Sequence, residues 1–398
     1  MTVSPKQCQP LNSENILLTG ATGVLGAHLL RELLRQTKSH IYCLVREDTR
    51  KPSKERLLNY LKIYDTQGEL EQEFHKRATV LEGDISKVDL HWDKKLYDEL
   101  TKKIDATIHA AASTNLFSDF KSIEAINVGG TKNIVNFCLK TKQRYICFVS
   151  SYSIMGDKTF EKDFHFKETH FDVEQGFEGF PYQETKYIAE KFIRESTEEG
   201  LLWNVVRPGQ IYGDSETGAY PLSKNIVGAF FYDIFKTMVL AQIIPVSEWK
   251  FDVTPVNYVS QATIELGLKR PSIYETYHLT NPHIQFIYDS IKIFKELGYP
   301  MEDIDVGDFI NRIKNDKLFV NGRPLKSITT RIFKLWAKGG FFNFKDSASV
   351  DSEYTVNILK KAEIHCARID ADLMGTYVEA GIREGFFPAL PEKKRSVI

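Results

Sequence analysis

The sequence predicts an α/β fold: a Rossmann-like, doubly wound parallel sheet with a smaller, mostly helical C-terminal substrate subdomain. Three observations carry that expectation. Near the N-terminus the apolar run Ile16-Leu17-Leu18 stops at the glycine turn Thr19-Gly20-Ala21-Thr22-Gly23-Val24-Leu25-Gly26 and resumes as a helix-like run over 27–34. Five strand-like runs then alternate with helical ones up to Ser151, joined mostly by stretches long enough for parallel crossovers. The chain, at 398 residues, also exceeds a typical single domain, so a large nucleotide-binding unit with a smaller companion is expected.

The first strand and its turn set the frame. A strand that ends in Gly-x-x-Gly-x-x-Gly and becomes a helix offers bare backbone N–H groups and a positive helix end to a pyrophosphate. Glycine suits these positions because a side chain would hold the phosphates away or block the helix from packing on the strand. Thr19, Gly20, Thr22, Gly23, Val24, Leu25 and Gly26 are therefore candidate dinucleotide contacts. The second strand, His40 to Arg46, ends in a cation where an acid would accept hydrogen bonds from the adenosine ribose. Arg46 thus argues for a 2′-phosphate and NADPH, with Arg56 or Lys54 as a second contact from the following helix. Glu47 and Asp48 stand beside it, and a solvated strand-end arginine would read the same way.

Ala78 to Ile85 reads as the third strand, with Asp84 and Ile85 placed to flank the adenine in a doubly wound order. Asp105 to Ala112 reads as the fourth, and its small residues Ala110, Ala111 and Ala112 let a backbone approach the cofactor closely. His109, buried in that strand, suits a structural hydrogen-bonder better than a catalyst. A helix over Ile123 to Lys140 packs Ile126, Ile134, Phe137 and Cys138 on the sheet and carries Asn127, a further candidate cofactor residue. Arg144 to Ser151 is the fifth strand, ending in the hydroxyls Ser150 and Ser151.

Composition narrows the class. Lys+Arg 52 against Asp+Glu 53 leaves a formal net charge of -1, which argues against a generic nucleic-acid binder and a strongly basic membrane-surface protein. Five cysteines without a C-x-x-C pair suit reduced thiols in the cytoplasm, with neither disulfide nor metal expected. Residues 1–14 read as a polar linker without the apolar core of a signal peptide. The apolar window from Ile226 to Val246 is interrupted by Asp233, Lys236 and Gln242, so no membrane span is expected.

Further on, Pro181-Tyr182-Gln183-Glu184-Thr185-Lys186 reads as a helix start with Tyr182 and Lys186 on one face. A free phenol, with a pKa near ~10, exchanges protons poorly at neutral pH, and a nearby ammonium favours its phenolate. Such a pair is common on any surface helix, but here it follows Ser151 at a strand end, downstream of a nucleotide turn.

Ser151, Tyr182 and Lys186 in this order resemble the Ser/Thr, Tyr-x-x-x-Lys triad of the extended short-chain dehydrogenase/reductase superfamily. Arg207-Pro208-Gly209-Gln210-Ile211-Tyr212-Gly213 is similar to that superfamily's Arg-Pro-Gly stretch, which implies that Pro208, Gly209 and Ile211 pass beside the nicotinamide. Within the superfamily, Leu18 to Gly23, Cys43 to Arg46, Asp252 to Val259 and Tyr277 to Pro282 resemble thioester reductase domains, as found at the ends of nonribosomal peptide and polyketide synthetases and in carboxylic acid reductases. The chain departs from that pattern at Asn257, usually Asp, and at Ser151, frequently Thr.

The resemblance implies NADPH-dependent reduction of a phosphopantetheine thioester on an acyl or peptidyl carrier protein to an aldehyde, with a second reduction to the alcohol left open. It implies that Tyr182 donates a proton, Ser151 hydrogen-bonds the carbonyl oxygen, and Lys186 lowers the Tyr182 pKa and holds the nicotinamide ribose. Fatty acyl-CoA reductases and nucleotide-sugar epimerases or dehydratases share the superfamily, and an NADP-sensing scaffold would keep its fold. Arg46 opposes the epimerases, which favour NAD, and the intact triad opposes the scaffold. A cytoplasmic monomer is expected.

These residues divide the chain into a linker (1–14), a nucleotide-binding domain (15–282) with a lid insertion around 214–250, and a C-terminal substrate and carrier-docking subdomain (283–398). In the insertion Val227, Phe230, Phe231, Ile234 and Met238 recur at helical spacing, as an acyl or pantetheine channel lining or as plain core. Residues 317–345 contain no acid, and Arg331, Lys334 and Lys338 share one side of an expected helix over 325–338. That side would dock an acidic carrier protein or simply face solvent.

Overall fold

The computed structural model describes residues 6–7, 13–65, 67–115, 118–222, 230–269, 272–315, 317–327, 329–331 and 347–391. Its centre is a seven-stranded sheet of β1 (Asn15–Thr19), β2 (His40–Val45), β3 (Ala78–Glu82), β4 (Ala106–His109), β5 (Tyr145–Val149), β6 (Leu202–Pro208) and β7 (Glu275–Leu279). The order is β3-β2-β1-β4-β5-β6-β7 with every pair parallel. Strand order reverses between β1 and β4, which opens a crevice beyond the carboxyl ends of the strands.

Alternate side chains sort the two layers. Ile16 and Leu18, Ile41 and Cys43, Tyr145 and Cys147 point to one face, where they meet α1 (Val24–Gln36), α2 (Ser53–Tyr64) and α3 (Glu71–Arg77). Leu17, Tyr42, Leu44, Ile146 and Phe148 point to the other, under α4 (Lys94–Lys103), the helix pair α5 (Phe120–Glu124) and α6 (Gly130–Cys138), and α7 (Pro181–Glu195). Burial on both faces is why these strands read as continuous apolar runs rather than alternating ones. Each fully buried Leu, Ile or Phe contributes roughly 1.5–3 kcal/mol.

A second core lies between α8 (Phe230–Ala241), α10 (Ile287–Leu297), α11 (Val306–Lys314) and α13 (Ala371–Arg383), while α9 (Val256–Ile264) packs on α1. Phe235 of α8 stacks on Phe294 of α10 at 5.0 Å. Of the residues expected to line a channel or the core, Ile234 and Met238 are fully buried there. Val227 and the side chains of Phe230 and Phe231 lie outside the described residues.

Three expectations change. Lys6–Gln7, inside the expected linker, pairs antiparallel with Ser272–Ile273. The helix expected over 123–140 carries a π-helical turn at Ala125–Gly129 that displaces Asn127 from the α register. Part of the expected C-terminal subdomain packs on the sheet: Ser349–Val350 pairs with His165–Phe166 and α12 (Glu353–Lys361) buries Leu359 in the sheet's core. Glu168 secures that return: its Oε1 accepts from the N–H of His278 on the outer strand at 3.1 Å and from Thr355 N at 3.2 Å. Arg331 is exposed at the end of a described segment, whereas Lys334 and Lys338 lie outside the described residues.

A very close backbone approach lies at the first turn. A Cβ on Gly26 would sit 1.9 Å from the Gly20 carbonyl oxygen, so α1 rests directly on the turn that precedes it. Gly26→Ala should cost at least about 1–3 kcal/mol through overpacking, read as a lower urea midpoint. An unchanged midpoint would show that the turn can yield.

Candidate active site

Glycine lets three backbones meet at the sheet's switch point. Gly20 has φ +79°, and a Cβ there would lie 2.7 Å from Ala111 N. α1 starts at Gly23 without a side-chain cap, so its first N–H groups remain open to an anion. Gly23 is exposed, and Thr22 and Val24 are half-buried beside it. Thr19 differs from expectation. It is fully buried, and its hydroxyl meets His109 Nδ1 at 2.7 Å and accepts from Ala111 N at 3.1 Å, so it ties β1 to β4 instead of facing the crevice. Leu25 also turns its side chain into the core, leaving only its backbone to a ligand.

Arg46 lies one residue past β2 and is exposed. Arg56 donates from Nη2 to the Arg46 carbonyl and places Nη1 3.4 Å from Asp48, which also holds Arg50 through two bonds of 3.0 Å. Asp48 is thereby neutralised by guanidinium groups beside Arg46. After β3, Asp84 Oδ1 accepts from the backbone and hydroxyl of Ser86, and Ile85 is buried against Gly130, where a Cβ would approach it to 2.7 Å. Ala110, Ala111 and Ala112 follow β4 half-buried. Asn127 is buried with its amide spent on the protein. Its Oδ1 accepts from Ser113 N at 2.7 Å, and its Nδ2 donates to Ser113 O and to Thr185 Oγ1.

Ser151 follows β5 in extended conformation, its Oγ accepting from Ser153 N at 3.1 Å and lying 2.8 Å from Ser153 Oγ. α7 begins with proline, which suits a first helical turn, and carries Tyr182 and Lys186 one turn apart. Lys186 is buried and donates to the Val149 carbonyl at 2.6 Å, with its ammonium 4.2 Å from the Phe148 ring centroid. That bond lays the Tyr182–Lys186 face of α7 over the end of the strand that leads to Ser151. Burial pulls the Lys186 amine down to about 7, opposed by the charge of Glu190. Tyr182 keeps part of its surface accessible, and burial of the rest pushes its phenol up to about 12. This is opposite to the lowering expected from Lys186, and burial alone is the cause. Tyr182 is therefore a protonated donor at neutral pH.

Pro208 ends β6 buried, and the following Gly209 packs so closely that a Cβ would fall 1.7 Å from Asp252 Oδ2. Ile211 pairs with Thr254. Asp252, its carboxyl raised to about 6 by burial, accepts from the N–H groups of Gln210 and Asn281 and from Thr254 Oγ1. Asn257, the departure noted above, accepts from Ser215 N and donates to Ser215 Oγ, so the amide side chain has its own use.

Sequence reasoning missed a buried ion pair beneath this site. Glu190 Oε1 accepts from Arg207 Nη2 at 2.6 Å, both side chains being fully buried. A charge inside the apolar run Asn204-Val205-Val206-Arg207 was the available signal, since an ion there needs a partner. A surface hollow of about 310 Å³ lined by Val88, Tyr97, Asn133 and Lys140 shares no residue with the site. Among the described residues no cluster fits a metal ion, and no helix is long and apolar enough to cross a membrane.

The open helix start, the glycine cradle and the strand-order reversal fit a dinucleotide. Residues 18–263 match the family described as Male sterility protein, a family of NAD-binding domains. The chain belongs to this family. The Male sterility family is of the extended short-chain dehydrogenase/reductase type, and this member is an NAD(P)-dependent oxidoreductase, as its sequence suggested. It is 26% identical over 383 residues to one of the subunits of the linear gramicidin synthase of Brevibacillus parabrevis, covering 96% of this chain and 7% of that one. It is 27% identical to glycine betaine reductase ATRR of Emericella nidulans, covering 98% and 30%. The chain thus spans less than a third of either relative. Among solved structures it resembles the terminal R domain from the myxalamid PKS-NRPS biosynthetic pathway, at 27% identity and a TM-score of 0.82, covering 96% of this chain and 93% of that one.

His109 and His278 are buried and uncharged, each pulled down to about 3, chiefly by burial and then by the nearby cations Lys186 and Arg207 respectively. The unfolded chain takes up these protons first as pH falls below about 6.5, so stability is lost from there down to about 3 at up to ~1.4 kcal/mol per pH unit for each histidine. Urea midpoints across this range should fall, and His109→Gln should reduce the slope by about one proton. A flat profile would show that both rings are charged in the fold.

Proposed function

We propose that this chain is an NADPH-dependent thioester reductase that releases an acyl or peptidyl group from the phosphopantetheine of a carrier protein as an aldehyde. The observation that carries this reading is the Lys186–Val149 bond, which holds the Tyr182–Lys186 face of α7 over the end of the strand leading to Ser151, while α1 begins uncapped after β1. Similarity to a terminal R domain of a PKS-NRPS pathway and to a gramicidin synthase supports a substrate presented on an assembly line.

When bound, the cofactor supplies the hydride. The glycine turn, the first N–H groups of α1 and the loop after β4 would hold its pyrophosphate, and Arg46 with Arg56 its 2′-phosphate. Reduction of the acyl carbon puts negative charge on the carbonyl oxygen. Ser151 donates a hydrogen bond to that oxygen and Tyr182 gives it a proton. Lys186 supplies positive charge near Tyr182 as the proton leaves. The resulting hemithioacetal breaks its C–S bond, releasing the pantetheine thiol and the aldehyde.

Tyr182→Phe should lower turnover about 10²–10⁴-fold with cofactor affinity retained, measured by quantifying aldehyde and alcohol from one acyl group presented on carrier protein, CoA and pantetheine. Wild-type inactivity on all three, or full activity of Tyr182→Phe, defeats the reading. Arg46→Ala should weaken NADPH binding about tenfold or more while leaving NADH within about twofold, by calorimetry. Equal loss for both would remove Arg46 from 2′-phosphate recognition.

A further inference from the structure

Tyr182, Lys186 and Glu190 follow one another at four-residue spacing on α7, so all three share a face of that helix. The first two belong to the proposed site. Glu190 does not reach it, yet its carboxylate holds the residues that immediately precede Ser151 and Pro208.

Its Oε2 accepts from Ser150 Oγ at 2.6 Å and from Arg207 Nε at 3.1 Å. Its Oε1 accepts from Arg207 Nη2 at 2.6 Å and from Arg194 Nη2 at 2.7 Å. Ser150 immediately precedes Ser151. Arg207 immediately precedes the Pro208-Gly209 turn, and its Nη1 donates to the His170 carbonyl and lies 3.2 Å from His278 Nε2. Arg194 carries the link on to Thr276 on β7. One buried carboxylate therefore fixes α7 against β5, β6 and β7 at points one residue away from groups that would handle substrate and cofactor.

We infer that Glu190 is the positioning residue of this site, setting the register of α7 on the sheet and supplying the negative charge that favours the ammonium form of Lys186. The inference rests on the reading of Tyr182 and Lys186 given above. Burial would raise the Glu190 carboxyl, but Arg207, Arg194 and their hydrogen bonds hold it down at about 2, so it is ionised at every working pH. Lys186 faces His109 from β4, the Phe148 ring and the Val149 carbonyl from β5, and Glu190 from its own helix. Glu190 faces Arg207 from β6, Arg194 from α7 and the Ser150 hydroxyl from β5, with His278 and Glu168 beyond Arg207. Of these, Glu190 is the acid that opposes the effect of burial on Lys186.

Two substitutions move that balance in opposite directions. Glu190→Gln removes the negative charge, and burial then acts on Lys186 unopposed. Arg194→Ala removes one of the two cations on Glu190 from a partly exposed position, leaving the carboxylate less neutralised.

The test is the titration of the Lys186 amine by NMR in cofactor-free protein labelled with ¹³C-lysine and assigned with Lys186→Arg. The midpoint should fall by about half a unit or more in Glu190→Gln and rise in Arg194→Ala. In thioester turnover, Glu190→Gln should lower kcat about tenfold with KM within about threefold, its alkaline limb should move to lower pH, and Glu190→Asp should restore part of the loss. Unmoved midpoints in both folded variants overturn the inference. If Glu190→Gln fails to fold, the upward shift in Arg194→Ala still decides it. If the wild-type protein reduces no thioester, the functional reading fails while the amine titration still judges Glu190.

Discussion

Everything at this site depends on the absence of two side-chain carbons. Gly20 and Gly26 let the end of β1, the start of α1 and the loop after β4 lie within van der Waals reach of one another. Packing of this kind cannot be reached gradually, since a single methyl group at Gly26 would occupy the place of a carbonyl oxygen. It puts the positive end of α1 at the point where strand order reverses. Thr19 and His109 then lock β1 to β4 by a buried hydrogen bond, so the crevice is shaped before any ligand enters.

The strands, the turn and the helix carrying Tyr182 were legible because each is written in consecutive residues. Ile16 to Leu18 and Tyr145 to Val149 are apolar on both faces, as a covered parallel sheet requires. What failed depends on contacts distant in sequence. Thr19 looked like a ligand contact, but its rotamer is decided by His109, ninety positions away. Asn127 belonged to a helix whose π-helical turn no periodicity announces. The Glu190–Arg207 pair was half visible as a charge inside a strand, but its partner lay across a helix and a strand.

The electrostatics follow one rule. Desolvation drives Tyr182 and Lys186 each toward the neutral form, while Glu190 stays ionised because two guanidinium groups share it. A site built this way keeps a proton on its phenol and a marginal charge on its amine. Small changes in the surrounding charges are then felt at neutral pH, where a solvent-exposed lysine would be insensitive.

The Glu168 bridge bears on how the chain reaches this state. The outer strand of the sheet has an edge without a further strand among the described residues, and Glu168 joins the N–H of His278 there to Thr355. During synthesis that edge is complete long before residue 355 emerges from the ribosome. In that interval the edge is a template for strands of other chains, which makes the nascent protein more prone to misassembly than the finished one.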